Sequence, residues 1–155
     1  MEEKMKSTLF VPVNYHKDKY PNLPEIEIIA KGDWIDLCCA EDVDMKAGEF
    51  KIISMGVSME LPAGYTASVL PRSSTFKKYG ILMANSMGII DESYCGDNDI
   101  WGFPAYAVRD THIDANTRIA QFKLEENMKN KYDIVFDAVE SLGNADRGGF
   151  GSTGN

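Results

Sequence analysis

The chain has no apolar run near the ~18–20 residues that a bilayer-spanning helix needs, so it is not expected to cross a membrane. Its opening, MEEKMKSTLFVPV, lacks the long apolar core of a secretory signal. Cysteine is scarce and odd in number, with only Cys38, Cys39 and Cys95. Two of these are adjacent, and neither His16 nor His112 lies at ligand spacing from them. That pattern excludes a disulfide framework, argues against a zinc site, and suits free thiols in a reducing cytoplasm, the expected location. Positive charge is also short: 16 Lys and Arg against 24 Asp and Glu give a net charge of −8. A general nucleic-acid binder needs the opposite balance. A local basic pocket for a small anionic ligand is compatible with it.

What is present is enough for one domain with a core: 155 residues, of which 44% are hydrophobic. The pattern is strand-like almost throughout. Short apolar or alternating runs at 8–13, 25–29, 34–42, 65–71, 80–85, 103–109, 117–124 and 132–140 are separated by turn residues. Residues 49–61 read as one long strand, or as two with a kink at Gly56, and 44–48 read as a turn. Only SSTFKKYG (73–80) looks helical, with Ser and Thr at its start and Gly80 as its stop. Many short strands at such spacing predict an all-β sandwich, barrel or jelly roll. Residues 1–140 are expected to form that domain. The Gly/Ser/Asn-rich residues 141–155 are expected to form a flexible arm.

Three stretches are suited to chemistry. PRSST (71–75) places Arg72, a planar fork of donors, before the start of the short helix, where backbone N–H groups are free for an anion. RGGFGSTG (147–154) combines glycines able to wrap an anion, the hydroxyls of Ser152 and Thr153, and the isolated ring of Phe150. MGIIDESYCGD (87–97) sends the apolar pair Ile89-Ile90 into Asp91, where a carboxylate can hold a water, with Tyr94 close behind. Each stretch also has a plain reading: a helix cap, a mobile tail, a solvated hairpin turn.

Together and in this order, the stretches resemble the five motifs of the homotrimeric dUTPases. WIDLCCAED resembles the first, around Asp36; PRSST the second; NSMGIIDESYCGD (85–97) the third; RIAQF (118–122) the fourth; and RGGFGSTG the fifth. The resemblance implies a jelly-roll-like β-barrel and a trimer whose three active sites are shared between subunits. The implied reaction is hydrolysis of dUTP to dUMP and pyrophosphate with Mg²⁺. Such an activity limits uracil incorporation into DNA and supplies dUMP for thymidylate synthesis. By position, Asp91 resembles the general base, and Tyr94 the residue under the deoxyribose. Asn85, with the following backbone through Gly88 and Ile90, resembles the uracil-reading edge. Arg72, Ser73, Ser74 and Gln121 resemble the group around the α- and β-phosphates. Asp36 resembles the acid that supports the metal through water. Phe150 resembles the lid over uracil, and Arg147, Gly151, Ser152 and Thr153 the γ-phosphate clamp.

Three features depart from the family pattern, the third being the aromatic stretch at 98–106. Trp34-Ile35 replaces the usual small lead into Asp36, and only two residues separate Arg147 from Phe150. The aromatic stretch NDIWGFPAY (98–106) offers Trp101 or Phe103 as a second ring over the base, or as core residues. A dCTP deaminase shares the fold, but Tyr94 is present and 98–101 contain no glutamate. A regulatory role toward a protein partner is compatible with the resemblance, with 14–24 and 98–116 as candidate surfaces.

Overall fold

The computed structural model describes residues 5–151. Its strands are β1 (Val13–Tyr15), β2 (Ile35–Cys38), β3 (Val43–Met45), β4 (Phe50–Ser54), β5 (Val57–Met59) and β6 (Tyr65–Pro71). Helix α1 (Thr75–Tyr79) follows, then β7 (Ile81–Met83), β8 (Gly88–Ile90), β9 (Gly102–Ala107), β10 (Thr111–Ile113) and β11 (Arg118–Glu126). A four-stranded sheet runs β2–β11–β6–β8 and a three-stranded one β4–β9–β7; β1–β5 and β3–β10 form two ribbons. Every pairing is antiparallel. This is the all-β, jelly-roll-like architecture with one short helix that the sequence predicts.

Alternation builds the core. Along β9, Phe103, Ala105 and Ala107 are buried while Pro104 and Tyr106 lie on the other face, as the two-residue period of a strand requires. Trp101, just ahead of β9, is fully buried and meets Phe122 of β11 edge-on, ring centroids 5.3 Å apart. Trp101 and Phe103 are therefore core residues, and neither is free to stack on a base. The outer face of β4–β9–β7 stays apolar: Phe50 pairs with Tyr106 and Tyr106 with Leu82, and all three are exposed, as is Ile52.

Residues 49–61 form two strands, not one. Gly56 between them has φ +71°, and a Cβ there would stand 2.8 Å from Leu23 Cδ2 and 2.9 Å from the Ala40 Cβ. Glycine therefore permits both the bend and the close seat of the 17–24 loop, whose Tyr20 and Leu23 are buried.

Five segments differ from the sequence expectation. The run at 8–13 is strand only at Val13, from which β1 continues to Tyr15 in residues read as a loop. Residues 25–29 alternate but are not a strand: they cross as a strap, tied by the Ile26 N–H donating to Tyr15 Oη (3.0 Å) and by the Lys17–Glu25 ion pair (3.2 Å). Residues 132–140 are not a strand either; they are exposed, with Val135 and Phe136 in the open. Period-two patterning specifies a face, but a strand also needs a pairing partner, and in the single chain 132–140 pairs with no strand. Conversely β3 and β10 arise in segments read as a turn and as connection. They are three residues each, too short for alternation to be visible, and gain their definition by pairing with each other.

That ribbon carries a pH-dependent tie. His112 on β10 lies 2.6 Å from Asp44 of β3 through Nδ1 and 2.8 Å from Asp114 through Nε2, with Asp42 alongside. The bond to Asp44, then that to Asp114, holds the imidazole pKa above its ordinary value. A raised folded-state pKa favours folding fully below the unfolded value of ~6.5, and that contribution fades as pH rises through the folded value. His112→Asn is therefore expected to lower the melting temperature more at pH 5.5 than at pH 8.5. Melting curves of both proteins at the two pH values check this; an equal loss at both would remove His112 from the stability profile.

Candidate active site

Two half-sites form at opposite ends of one sheet. The first is basic. The last pair of β6 with β11 sets Pro71 beside Ala120, and β2 sets Asp36 beside Gln121. Arg72 leaves β6 there, and its Nε lies 3.1 Å from Asp36 Oδ1. Arg118 Nη1 lies 3.6 Å from Asp36 Oδ2. Asp36 thus engages a guanidinium with each oxygen, orienting two cationic forks side by side. Gln121 donates from Nε2 to the Pro71 carbonyl at 3.1 Å, which anchors its amide at the same edge.

The start of α1 is locked differently from the expectation. Ser74 caps the helix without a side-chain hydrogen bond, and Ser73 is exposed. The buried Thr75 makes the connection instead: its hydroxyl accepts from the Arg72 N–H (3.1 Å) and donates to the Ile119 carbonyl (2.7 Å). Thr75 thereby ties the Arg72 backbone to β11. Thr75→Val keeps the shape and removes both hydroxyl bonds, leaving the Arg72 N–H and the Ile119 carbonyl only their direct 3.3 Å bond to each other, at an expected loss of about 1–2 kcal/mol. Urea unfolding checks the size; no change in midpoint would show the hydroxyl to be dispensable.

The second half-site is a cavity of about 380 Å³ whose lining includes Asn85, Gly88, Ile90, Asp91 and Tyr94, a size suited to a small ligand. Five sequence candidates thus meet in one pocket. Ile89 lines it beside Ile90, and Ile52 and Pro104 bring the rim of the apolar β4–β9 face to it. Gly88 admits the close approach of β8 to β6, since a Cβ there would meet the Val69 Cβ at 3.2 Å. Asp91 follows β8 at once, in a turn closed by the Tyr94 N–H donating to the Asp91 carbonyl at 3.0 Å. Tyr94 is 40% exposed, its ring free on the cavity side.

These halves do not meet within one chain. Ile90 pairs with Ala67, so Asp91 stands one step further, toward Thr66, while Arg72 follows the opposite end of β6. Six residues of strand at about 3.3 Å each separate them by about 20 Å.

The described part of the arm joins neither half-site. Arg147 and Gly151 are exposed, and the Phe150 side chain is fully in the open. Ser152 and Thr153 lie outside the described residues. Sequence reasoning passed over Arg118, Thr75 and Glu92. Arg118 had a signal, three positions before Gln121 in the same short stretch. Thr75 and Glu92 had none, because their partners come from β11 and from the turns at Gly64 and Asn127, remote in sequence.

Comparison with known proteins identifies relatives over most of the chain. The family model described as dUTPase matches residues 34–154. The SPbeta prophage-derived deoxyuridine 5'-triphosphate nucleotidohydrolase YosS of Bacillus subtilis (strain 168) is 57% identical over 129 residues, covering 83% of this chain and 89% of the relative. Among solved structures, the dUTPase of Staphylococcus bacteriophage 80alpha with dUPNHPP superposes with a TM-score of 0.74 at 21% identity, covering 96% of this chain and 100% of that one. It was described in work on phage dUTPases controlling the transfer of virulence genes. A mutant dUTPase of phage phi11 of S. aureus, described with a structural Mg(II) ion, superposes with a TM-score of 0.70 at 16% identity over 86% of this chain and 99% of that one. The family model spans most of the chain and the B. subtilis relative matches most of its length, and on that ground the chain belongs to the dUTPase family.

Proposed function

We propose that this protein hydrolyses dUTP to dUMP and pyrophosphate, with the base and sugar in the Asn85–Tyr94 cavity and the phosphates on the Asp36–Arg72–Arg118–Gln121 edge. The observation that carries the reading is the convergence of Asn85, Gly88, Ile90, Asp91 and Tyr94 on one cavity in a chain of this family. Asn85 and the β8 backbone read the edge of uracil. The Tyr94 ring lies under the deoxyribose, where a 2′-hydroxyl would find neither space nor a partner. Asp91 takes a proton from a water as the water oxygen bonds to the α-phosphorus. The α–β bridging P–O bond breaks, and pyrophosphate leaves with the electron pair. Arg72, Arg118 and Gln121 hold the phosphate oxygens while charge shifts toward the leaving group.

Mg²⁺ fits this edge as an ion held by triphosphate oxygens and water, its usual coordination. Both Asp36 oxygens already face guanidinium groups, which suits a role behind the water shell. When bound, Mg²⁺ neutralises phosphate charge and favours departure of pyrophosphate.

A complete site requires Asp91 from one copy and Arg72 from another, because about 20 Å of β6 lies between them in one chain. A homotrimer supplies this. The exposed apolar stripe Phe50, Ile52, Leu82, Tyr106 and the exposed run Ile134, Val135, Phe136, Val139 are surfaces that association would cover. Residues 141–155 act as an arm that closes over the nucleotide, Phe150 on uracil and Arg147, Gly151, Ser152 and Thr153 toward the γ-phosphate. Three free thiols at Cys38, Cys39 and Cys95 suit a cytoplasmic enzyme. A regulatory protein partner remains a second role for the 14–24 and 98–116 surfaces.

Pyrophosphate release from dUTP, UTP, dTTP and dCTP tests the reading. Turnover of dUTP far above the other three is expected. Equal turnover of dUTP and UTP would remove Tyr94 from sugar selection, and no release from dUTP would overturn the activity.

A further inference from the structure

Asp91 stands on weak local support. Strand β8 is three residues long, pairs only with β6, and ends immediately before it. Among the described residues its carboxylate accepts no hydrogen bond. Something outside the strand must hold the turn if a water is to be aimed by this group.

The next residue does so. Glu92 points away from the cavity and, through Oε1, accepts the Gly64 N–H and the Asn127 side-chain amide, the latter at 2.8 Å. Gly64 forms the turn ahead of β6 with φ +87°, and a Cβ there would stand 2.9 Å from Asn130 Nδ2. The Asn127 N–H, just past β11, returns a bond to the Gly64 carbonyl at 2.7 Å. Three turns, those before β6, after β8 and after β11, therefore meet on one carboxylate oxygen. The Asn127 Oδ1 is buried without a partner. Rotating that amide would satisfy nothing and would set its oxygen against the carboxylate, so Glu92 dictates how Asn127 sits. The Asn127 bond, then that of Gly64, holds the Glu92 carboxyl below its ordinary range, and it stays an anionic acceptor.

We propose that Glu92, braced by Gly64 and Asn127, is a positioning residue for the reaction: it fixes the turn that aims Asp91 at the attacking water. The proposal rests on the assignment of Asp91 as the base. Glu92 is not itself a second base. Its Oε1 already accepts two donors, and it does not line the Asn85–Tyr94 cavity but an adjoining recess that Thr66, Asn127 and Asn130 share with the other side of Asp91.

The test is steady-state dUTP hydrolysis by the assembled enzyme. Glu92→Ala is expected to lower kcat about 10–10²-fold, the usual cost of a misplaced reacting group, while KM stays within about twofold. Glu92→Gln keeps one carbonyl oxygen able to accept both donors and is expected to recover most of kcat. In an Asp91→Asn background, Glu92→Ala should cost nothing more, because the group it aims is gone. If Glu92→Ala fails to assemble, Asn127→Ala, which removes one donor, carries the same comparisons. The proposal is overturned if the alanine variant keeps wild-type kcat, if glutamine rescues nothing, or if the loss persists undiminished without Asp91. Wild-type enzyme in the same assay separates these outcomes from failure of the dUTPase reading, which would appear as no pyrophosphate from dUTP at all.

Discussion

Asp91→Asn is expected to leave the fold and nucleotide binding in place and to lower kcat for dUTP about 10²–10⁴-fold, the usual contribution of a positioned general base. The substitution is nearly isosteric. The wild-type carboxylate is exposed at the cavity and accepts no hydrogen bond among the described residues, so its loss breaks no packing. The turn survives, since the Tyr94 N–H bonds to the backbone carbonyl of residue 91 and Glu92 keeps both its donors. What asparagine lacks is a site for the water proton at neutral pH. Pyrophosphate release measures kcat, and titration with a non-hydrolysable dUTP analogue measures binding. Turnover within about threefold of wild type would sink the assignment, because a positioned base contributes far more than that.

The second large effect is recovery rather than loss. Arg72→Ala removes the proposed phosphate fork from one end of the four-stranded sheet, and Asp91→Asn removes the proposed base from the other. Each homotrimer alone should be nearly inactive. Co-expressed in equal amounts, the two chains should form mixed trimers in which some sites draw Arg72 from one chain and Asp91 from its neighbour. With random assembly, about a quarter of the sites are intact in both respects, so activity should return to about a quarter of wild type. A mixture no more active than its two components would show that each site is built within one chain. That result would also require a large rearrangement of β6 and β8, whose register holds the two residues apart.

How far the sequence reached depends on the range of the interactions. The helix at 75–79 was legible because its stop is local: Gly80 takes the left-handed φ of +63° that glycine favours. β6 and β9 were legible because six or seven strand-favouring residues bounded by turn residues are a strong signal, to which β9 adds alternation. The strand expected at 132–140 pairs with no strand in the single chain and its residues lie exposed, because pattern alone does not supply a partner. β3 and β10 were invisible for the opposite reason: partnership defines them and pattern does not.

The same division runs through the site. The sequence by itself determined the chemical inventory and its order: a carboxylate after two isoleucines, a tyrosine three positions on, Arg72 at a strand end, glycines and Phe150 near the C-terminus. Backbone propensity and motif order are carried within a few residues, so they survive in one dimension. Only the tertiary structure decided that Asp36 is bound by both Arg72 and Arg118, that Thr75 rather than Ser74 locks the second motif, that Trp101 belongs to the core, and that Glu92 ties the turn after β8 to Gly64 and Asn127. It also decided that Asp91 and Arg72 stand at opposite ends of β6. Each of these depends on strand register and on which turns converge, and those follow from burying one apolar face across segments 30 to 80 residues apart, with about 3.3 Å per residue then setting which side chains meet.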